Sequence, residues 1–293
     1  MDGVIVVDKA AGWTSHDVVN KMRRIAGTER VGHLGTLDPL ATGVLPVVVG
    51  KATRLAQFYT RSDKLYEGVV RFGWATNTYD SDGEAEGEKR EVAVDRAELE
   101  GLLERFRGAI MQTPPPVSAK KVDGKRAYQL ARKRIAVVLE PVEVQVYELE
   151  LLSVEGAEAR LRVHCSGGTY VRSIAHDLGT LMGCGAHLGA LRRLASGEFD
   201  IAGARTLAEL EALAAGERLM EALVPAAEMM PGMPSVYVEE AGVRDIRNGR
   251  NFPASPFRAQ PAAKYVKAIG REGQLVAVGE VVVPNLYHPM VVL

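Results

Sequence analysis

The stretch Gly32-His33-Leu34-Gly35-Thr36-Leu37-Asp38-Pro39-Leu40-Ala41-Thr42 sets one carboxylate among apolar and small residues. An isolated carboxylate of this kind suits nucleophilic attack or the stabilisation of a developing positive charge. Pro39 fixes its own φ and biases Asp38 toward an extended conformation. An Asp-Pro in a Gly-rich segment is also an ordinary turn, but the length of the string argues for a rigid loop that presents Asp38. A second chemical feature lies further on. Lys120, Lys121, Lys125, Arg126, Arg132, Lys133 and Arg134 stand against Asp123 alone. That run follows Pro114-Pro115-Pro116, which forbid regular structure, and it suits contact with phosphates as well as with water. Two metal readings fail. Cys165, Cys184, His164, His176 and His187 contain no Cys-x-x-Cys pair. Asp80-Ser81-Asp82-Gly83 lacks the closing glutamate of a calcium loop.

The surrounding periodicity supplies elements to hold these groups. Val4 to Val7 reads as a strand. Thr14 or Ser15 caps a helix through Val18, Val19, Met22 and Ile25. Lys21, Arg23 and Arg24 lie on its polar side, facing water or phosphates. Val44 to Val49 reads as a buried strand, and Thr53 as the cap of a helix carrying Leu55, Phe58 and Tyr59. Lys64 to Gly73 is rich in β-branched and aromatic residues, and its alternation puts Tyr66, Val70 and Phe72 on one face. Ala75 to Glu91 is an acidic loop, and Val94 to Arg107 an amphipathic helix. Val142 to Val154 and Ala159 to Cys165 alternate as a hairpin around Glu155-Gly156. Ser166-Gly167-Gly168 turns into a helix reaching Gly179. Ala190-Leu191-Arg192-Arg193-Leu194 offers two arginines to phosphates or water. Two short helices are expected over Thr206 to Met230. Pro231-Gly232-Met233-Pro234 is a natural boundary. Beyond it come a short helix before Gly249 and strands at Tyr265 to Ile269 and Leu275 to Val283.

Gly32 to Pro46 closely resembles the active-site motif of the bacterial tRNA pseudouridine-55 synthases, the TruB family. The resemblance continues at Lys9 to Ser15 (Lys-Pro-x-Gly-x-Thr-Ser) and at Asn77 to Gly83. It continues further at Gln112 to Gly124 and at Gly167 to Gly179. It implies that Asp38 is the catalytic residue, that Tyr66 is the tyrosine that stacks on a flipped uracil, and that Arg172 forms an ion pair with Asp38 and keeps it ionised. It implies substrate contacts at Lys9, His33, Gly35, Thr36, Leu37 and Tyr170, and at Lys120, Lys121, Arg126 and Arg132 in an inserted RNA-binding segment over about 112–134. The acidic loop is expected to border the binding surface. Four positions depart from the family pattern: Ala10 replaces a proline, Asn77 an acidic residue, Val117 an aromatic residue and Gly167 a lysine.

The reaction so implied is the isomerisation of the T-loop uridine at tRNA position 55 to pseudouridine. It is redox-neutral and needs no cofactor and no metal. The residues leave open whether Asp38 attacks C1′ or C6 or acts through an elimination, and whether Tyr66 or a water moves the C5 proton. The implied fold is α/β, of the α+β type: a pseudouridine synthase fold with a mixed, largely antiparallel sheet and flanking helices over 1–231, and a small β-rich PUA-like domain over 235–293. Alternating helices and strands alone would not exclude a parallel sheet.

Composition adds bounds. The 293 residues carry a net charge of −1, so RNA binding must rest on local patches. Two cysteines make no disulfide framework. No basic segment precedes the first apolar run, and no run is long enough to span a bilayer. A cytoplasmic monomer is expected, with the tRNA T-arm stem-loop as partner, no membrane and no obligatory protein partner. Three other readings compete: an RNA-binding or tRNA-folding protein without chemistry, a guide-dependent pseudouridine synthase, and a carboxylate glycosidase. The last needs two acids flanking the bond, and the motif holds one.

Overall fold

The computed structural model describes residues 1–118, 120–122, 125–126, 139–254 and 263–293, and for 121, 122, 125 and 126 the backbone alone. A ten-stranded sheet forms the main body. Its strands are β1 (Gly3–Lys9), β2 (Val31–His33), β3 (Thr42–Val49), β4 (Lys64–Phe72), β5 (Gly108–Gln112), β6 (Val142–Glu155), β7 (Glu158–Cys165), β8 (Ala186–Ser196), β9 (Phe199–Asp200) and β10 (Leu223–Pro225). The order is β10-β1-β3-β8-β4-β7-β6-β5, with β2 beside β3 and β9 beside β8. Every pairing is antiparallel except β3 with β8. The largely antiparallel sheet is therefore present. The β6–β7 hairpin turns around Glu155 and Gly156 as its alternation required.

The burial pattern explains the sequence pattern. β1 and β3 are near-continuous apolar runs because both of their faces are covered. Ile5, Val7, Leu45, Val47 and Val49 face a core shared with helices α1 (Ser15–Ala26), α2 (Arg96–Leu103), α3 (Val171–Leu181) and α4 (Leu207–Ala215). Val4, Val6, Val44 and Val48 face a second core. β4 alternates strictly, with Tyr66, Val70 and Phe72 on the buried side. Helix α1 starts at a capping box, where Thr14 and Asp17 satisfy each other's backbone N–H groups.

Three expectations are corrected. The segment carrying Leu55, Phe58 and Tyr59 is a 3-10 helix, Gly50–Tyr59, preceded by Val49. Thr53 lies inside it and donates its hydroxyl to the Gly50 carbonyl (2.8 Å). Helix α2 is shorter than its pattern, because Asp95 caps it and the chain tightens into a 3-10 turn at Glu104–Phe106. After α4 comes a 3-10 turn at Leu219–Ala222 and then strand β10, where a second helix was expected.

Beyond Pro234 the chain forms a five-stranded sheet. Its strands are β11 (Ser235–Tyr237), β12 (Phe252–Pro253), β13 (Tyr265–Ile269), β14 (Leu275–Val283) and β15 (Leu286–Val292), with α5 (Glu240–Arg247) packed on it. Val236, Ile246, Phe252, Val266 and Tyr287 make its own small core. Ile269, Leu275, Val278 and Leu293 join the second core of the main body. The buried Lys267 ammonium bonds the carbonyls of Ala227 (2.9 Å) and Met229 (3.0 Å) across the same junction.

Gly43 shows how tightly the centre of the sheet is packed. Its φ is +97°, and a Cβ there would stand 2.2 Å from the Arg193 carbonyl oxygen. Gly43→Ala is expected to destabilise the fold by about 3 kcal/mol, combining backbone strain with overpacking. The check is the urea midpoint at unchanged slope; an unshifted midpoint would contradict the packing described.

Candidate active site

The loop between β2 and β3 is held from three directions. The Ser15 hydroxyl donates to the Leu37 carbonyl (2.9 Å) and accepts from the Leu37 N–H (2.8 Å). Lys9 Nζ donates to the carbonyls of Ala10 (2.9 Å), Trp13 (2.7 Å) and Pro39 (3.2 Å). Arg193 on β8 donates to the carbonyls of Val44 (2.6 Å), Thr36 (3.2 Å) and Gly35 (3.2 Å). The turn is closed by the Ala41 N–H on the Asp38 carbonyl (3.1 Å). A carboxylate on a backbone so constrained has little freedom of aim, which is what pre-organised chemistry requires.

Asp38 meets Arg172, the second residue of α3. Arg172 Nε lies 3.0 Å from Asp38 Oδ2, and Nη2 lies 3.3 Å from Oδ1. The guanidinium also donates to Asp80 Oδ2 (3.1 Å) and to the carbonyls of Thr78 (3.0 Å) and Val117 (3.0 Å). Side-chain exposure is 5% for Arg172 and 6% for Asp80, but 32% for Asp38. Only Asp38 of the three therefore faces a substrate-accessible space. The start of α3 is fixed from the Pro-rich segment: Gln112 bonds the Tyr170 carbonyl and N–H, and Ser173 donates to the Thr113 carbonyl (2.8 Å).

That space is a pocket of about 370 Å³, lined by Asp38, Tyr66, Lys64, Arg172, Leu191 and Arg193, among others. Its size suits one small ring and its attached sugar. Tyr66 is buried on β4, and the Arg193 guanidinium lies close enough to influence its hydroxyl. Burial pushes the Tyr66 phenol above its ordinary pKa, with Arg193 opposing, so it stands as a neutral ring at physiological pH. Burial also pushes Asp38 above the usual carboxylate range. Arg172 opposes that shift and Asp80 adds to it. Both influences expected at Asp38, the apolar setting that raises it and the arginine that opposes, are present, and desolvation is the larger.

The structure gathers most of the residues singled out in the sequence. His33, Gly35, Thr36, Leu37, Tyr66, Tyr170 and Arg172 all line the pocket with Asp38. Lys9 does not; it is fully buried beneath the loop and bonded to three carbonyls, so it supports Asp38 from behind. Lys120 is half-buried, and the backbone of Lys121 and Arg126 lies in a two-stranded ribbon, 121–122 against 125–126. Arg132, with Lys133 and Arg134, lies outside the described residues. Among the described residues no group of His, Cys, Asp or Glu is arranged to hold a metal.

Three groups differ from expectation. Asp80, expected in an acidic border loop, is a buried partner of Arg172. The Asn77-to-Gly83 motif is the sequence signal that points to it. Arg193, expected to meet phosphates or water, is fully buried under the loop. Arg192 pairs with Asp8 at 2.8 Å. Lys64, two residues before Tyr66 on the buried face, is a pocket residue that no motif marks. Three of the departures from the family pattern fall into place as backbone roles. Ala10 and Val117 contribute carbonyls to Lys9 and Arg172. A Cβ at Gly167 would stand 2.9 Å from the Thr60 carbonyl oxygen, so only glycine lets that loop close against the pocket.

Known proteins match this chain along most of its length. Residues 23–171 match the family model described as "TruB family pseudouridylate synthase (N terminal domain)", and residues 172–230 match "tRNA pseudouridylate synthase B C-terminal domain". The chain is 68% identical over 293 residues to a tRNA pseudouridine synthase B of Solibacter usitatus (strain Ellin6076), covering 100% of both. It is 43% identical over 286 residues to the protein of the same name from Ectopseudomonas mendocina (strain ymp), covering 96% of this chain and 92% of the other. Among solved structures it resembles a chain of an archaeal box H/ACA sRNP complex, with a TM-score of 0.70 and 26% identity over 95% of this chain and 78% of that one. It also resembles a chain of an H/ACA RNP bound to a substrate RNA containing 2′-deoxyuridine, with a TM-score of 0.72 and 25% identity over 98% and 83%.

Proposed function

The chain belongs to the TruB family of pseudouridylate synthases and is an isomerase acting on tRNA uridine, and from that premise we propose that it converts the T-loop uridine at position 55, alone and as a monomer, with Asp38 as its catalytic carboxylate. One observation carries the reading: a carboxylate held in two contacts by a buried arginine opens onto a pocket walled by a neutral tyrosine.

The target base must leave its stack to reach Asp38, at roughly a few kcal/mol of unstacking. Tyr66 offers its ring as the new stacking partner, and Leu191 offers an apolar wall. Asp38 then faces the sugar as the base detaches, and Arg172 fixes its orientation. A phenol held above its ordinary pKa is a poor base at neutral pH, which favours water for the C5 proton. His33, Gly35, Thr36, Leu37 and Tyr170 hold the flipped nucleotide at the mouth. The segment over 112–134, with Lys120, Lys121, Arg126 and Arg132, meets the phosphates. In domain terms, 1–231 carries the chemistry, and the tail over 235–293 is a PUA-like RNA-binding unit. Its separate small core supports that division.

The test uses purified protein and an unmodified tRNA T-arm stem-loop labelled with tritium at uridine C5, without added protein or guide RNA. Tritium release of one equivalent per loop, with pseudouridine at the position-55 equivalent, is the expected result. Binding without release would leave a guide-dependent enzyme or an RNA-folding protein as the better account.

A further inference from the structure

We propose that Lys64 and Arg193 form an anion-holding floor of the pocket, and that its occupant is the uracil ring in the negatively charged state in which it leaves the sugar. The inference rests on the function proposed above and adds to it a second electrostatic centre, apart from the Asp38–Arg172–Asp80 cluster.

The geometry is specific. Lys64 stands two residues before Tyr66 on the same face of β4, so ammonium and ring point into one space. The Lys64 side chain lines the pocket although the residue is only 7% exposed. Its Cε lies 3.6 Å from where a Cβ of Gly35 would stand, and Arg193 Nη1 lies 4.0 Å from the same point. Both cations therefore meet beneath the catalytic loop. Lys64 Nζ donates to the Ser62 carbonyl, which leaves two of its three N–H bonds for a ligand. Gly167 lies against the same Ser62 oxygen, 3.1 Å from where its Cβ would stand.

Charge balance gives the second argument. Arg172 is matched by two carboxylates. The hydrogen bonds of Arg193 go to carbonyls, and that of Lys64 goes to a carbonyl. Among the described residues no ion pair joins either of them to a carboxylate. Two buried cations without a counter-ion are unfavourable unless an anion arrives. The groups around Lys64 supply none. Asp63 is half exposed and turned to the Tyr147 hydroxyl. Cys165, opposite on β7, is a neutral thiol pushed up to about 12. Burial and Arg193 bring Lys64 itself down to about 8.

The chemistry supplies the anion. When the C1′–N1 bond breaks, its electron pair stays on N1, and the ring bears a negative charge shared with O2 and O4. Asp38 faces the sugar carbon that has lost the pair. After the ring turns, C5 returns a pair to C1′, the C5 proton passes to water and N1 takes up a proton from water, so the sequence balances without oxidant or reductant. A phosphate is the competing anion. It belongs to the strand crossing the mouth of the pocket, whereas a residue 7% exposed lies where the base inserts.

The experiment compares wild type, Lys64→Gln and Lys64→Arg on the T-arm stem-loop, measuring single-turnover rate, RNA dissociation constant and rate against pH. Thermal unfolding confirms that each variant is folded. The expected result is a rate about 100-fold lower for Lys64→Gln, with the dissociation constant within about twofold and Lys64→Arg largely active. The wild-type rate falls as pH rises through about 8, because the ammonium loses its proton, and Lys64→Arg lacks that limb. An unchanged rate in Lys64→Gln overturns the proposal. So does weaker RNA binding at an unchanged rate, which assigns the floor to a phosphate. A limb near pH 8 that persists in Lys64→Arg also overturns it, since Lys9 titrates there as well. An inactive wild type would instead defeat the proposed function.

Discussion

Asp38→Asn is expected to lower pseudouridine formation by roughly 10⁴-fold or more, while leaving the protein at least as stable as wild type at neutral pH. Loss of activity follows because the amide keeps the shape and removes the charge. The stability result comes from the direction of the pKa shift. Burial raises Asp38 in the folded state, so its ionised form is penalised relative to the unfolded chain at any pH above that raised value. The penalty fades as pH falls through the folded pKa and is gone below the unfolded one. The neutral amide of the variant carries no such penalty, so its advantage should shrink on acidification. Arg172 is not orphaned by the change, since Asp80 and two carbonyls still hold it. Single-turnover conversion and thermal unfolding at pH 7 and pH 5 test both halves. Activity lost together with several degrees of melting temperature would sink the idea that Asp38 is held at the expense of stability.

Arg172→Met makes the opposite pattern. Activity is expected to fall by a comparable factor, and stability by about 3–5 kcal/mol, because removing one partner of a buried cluster leaves charges uncompensated. The charges left are Asp38 and Asp80, both facing the gap. With the opposing cation gone, Asp38 should move further up, so the deficit shrinks as pH falls and that carboxylate protonates. Adding Asp80→Asn should restore part of the stability and none of the activity. A double variant as unstable as the single one would show that the loss comes from packing, not from unpaired charge.

The sequence disclosed the site where its information is local. Asp38 sits in one contiguous string, whereas alternation on β4 puts Tyr66 only on a buried face, and its place in the site, like that of Arg172, comes from the resemblance of the surrounding motifs to the TruB family. What stayed hidden depends on long-range contact. Asp80 looks like one acid among many because charge counts do not register burial, and its partner is 92 residues away. Arg193 looks like an ordinary solvated arginine because its acceptors are carbonyls, which every residue has. Lys9 looks like an RNA contact for the same reason. The fold was legible in its strands and in the β6–β7 hairpin. The insertion of β8 between β3 and β4 was not, because no local pattern specifies which distant strand fills a gap.

That insertion bears on how the protein is made. By the time a ribosome has released residue 181, the chain already carries the carboxylate loop, the pocket tyrosine and the arginine helix. It still lacks the strand that separates β3 from β4 and brings Arg193 against the loop. Pairing across so long a separation is slow compared with local hairpins. The nascent chain therefore passes through a stage in which every one of these chemical groups is present while the Arg193 restraint on the loop is still missing. The complete pocket arrives with a strand made late in synthesis, long after Asp38 itself has emerged.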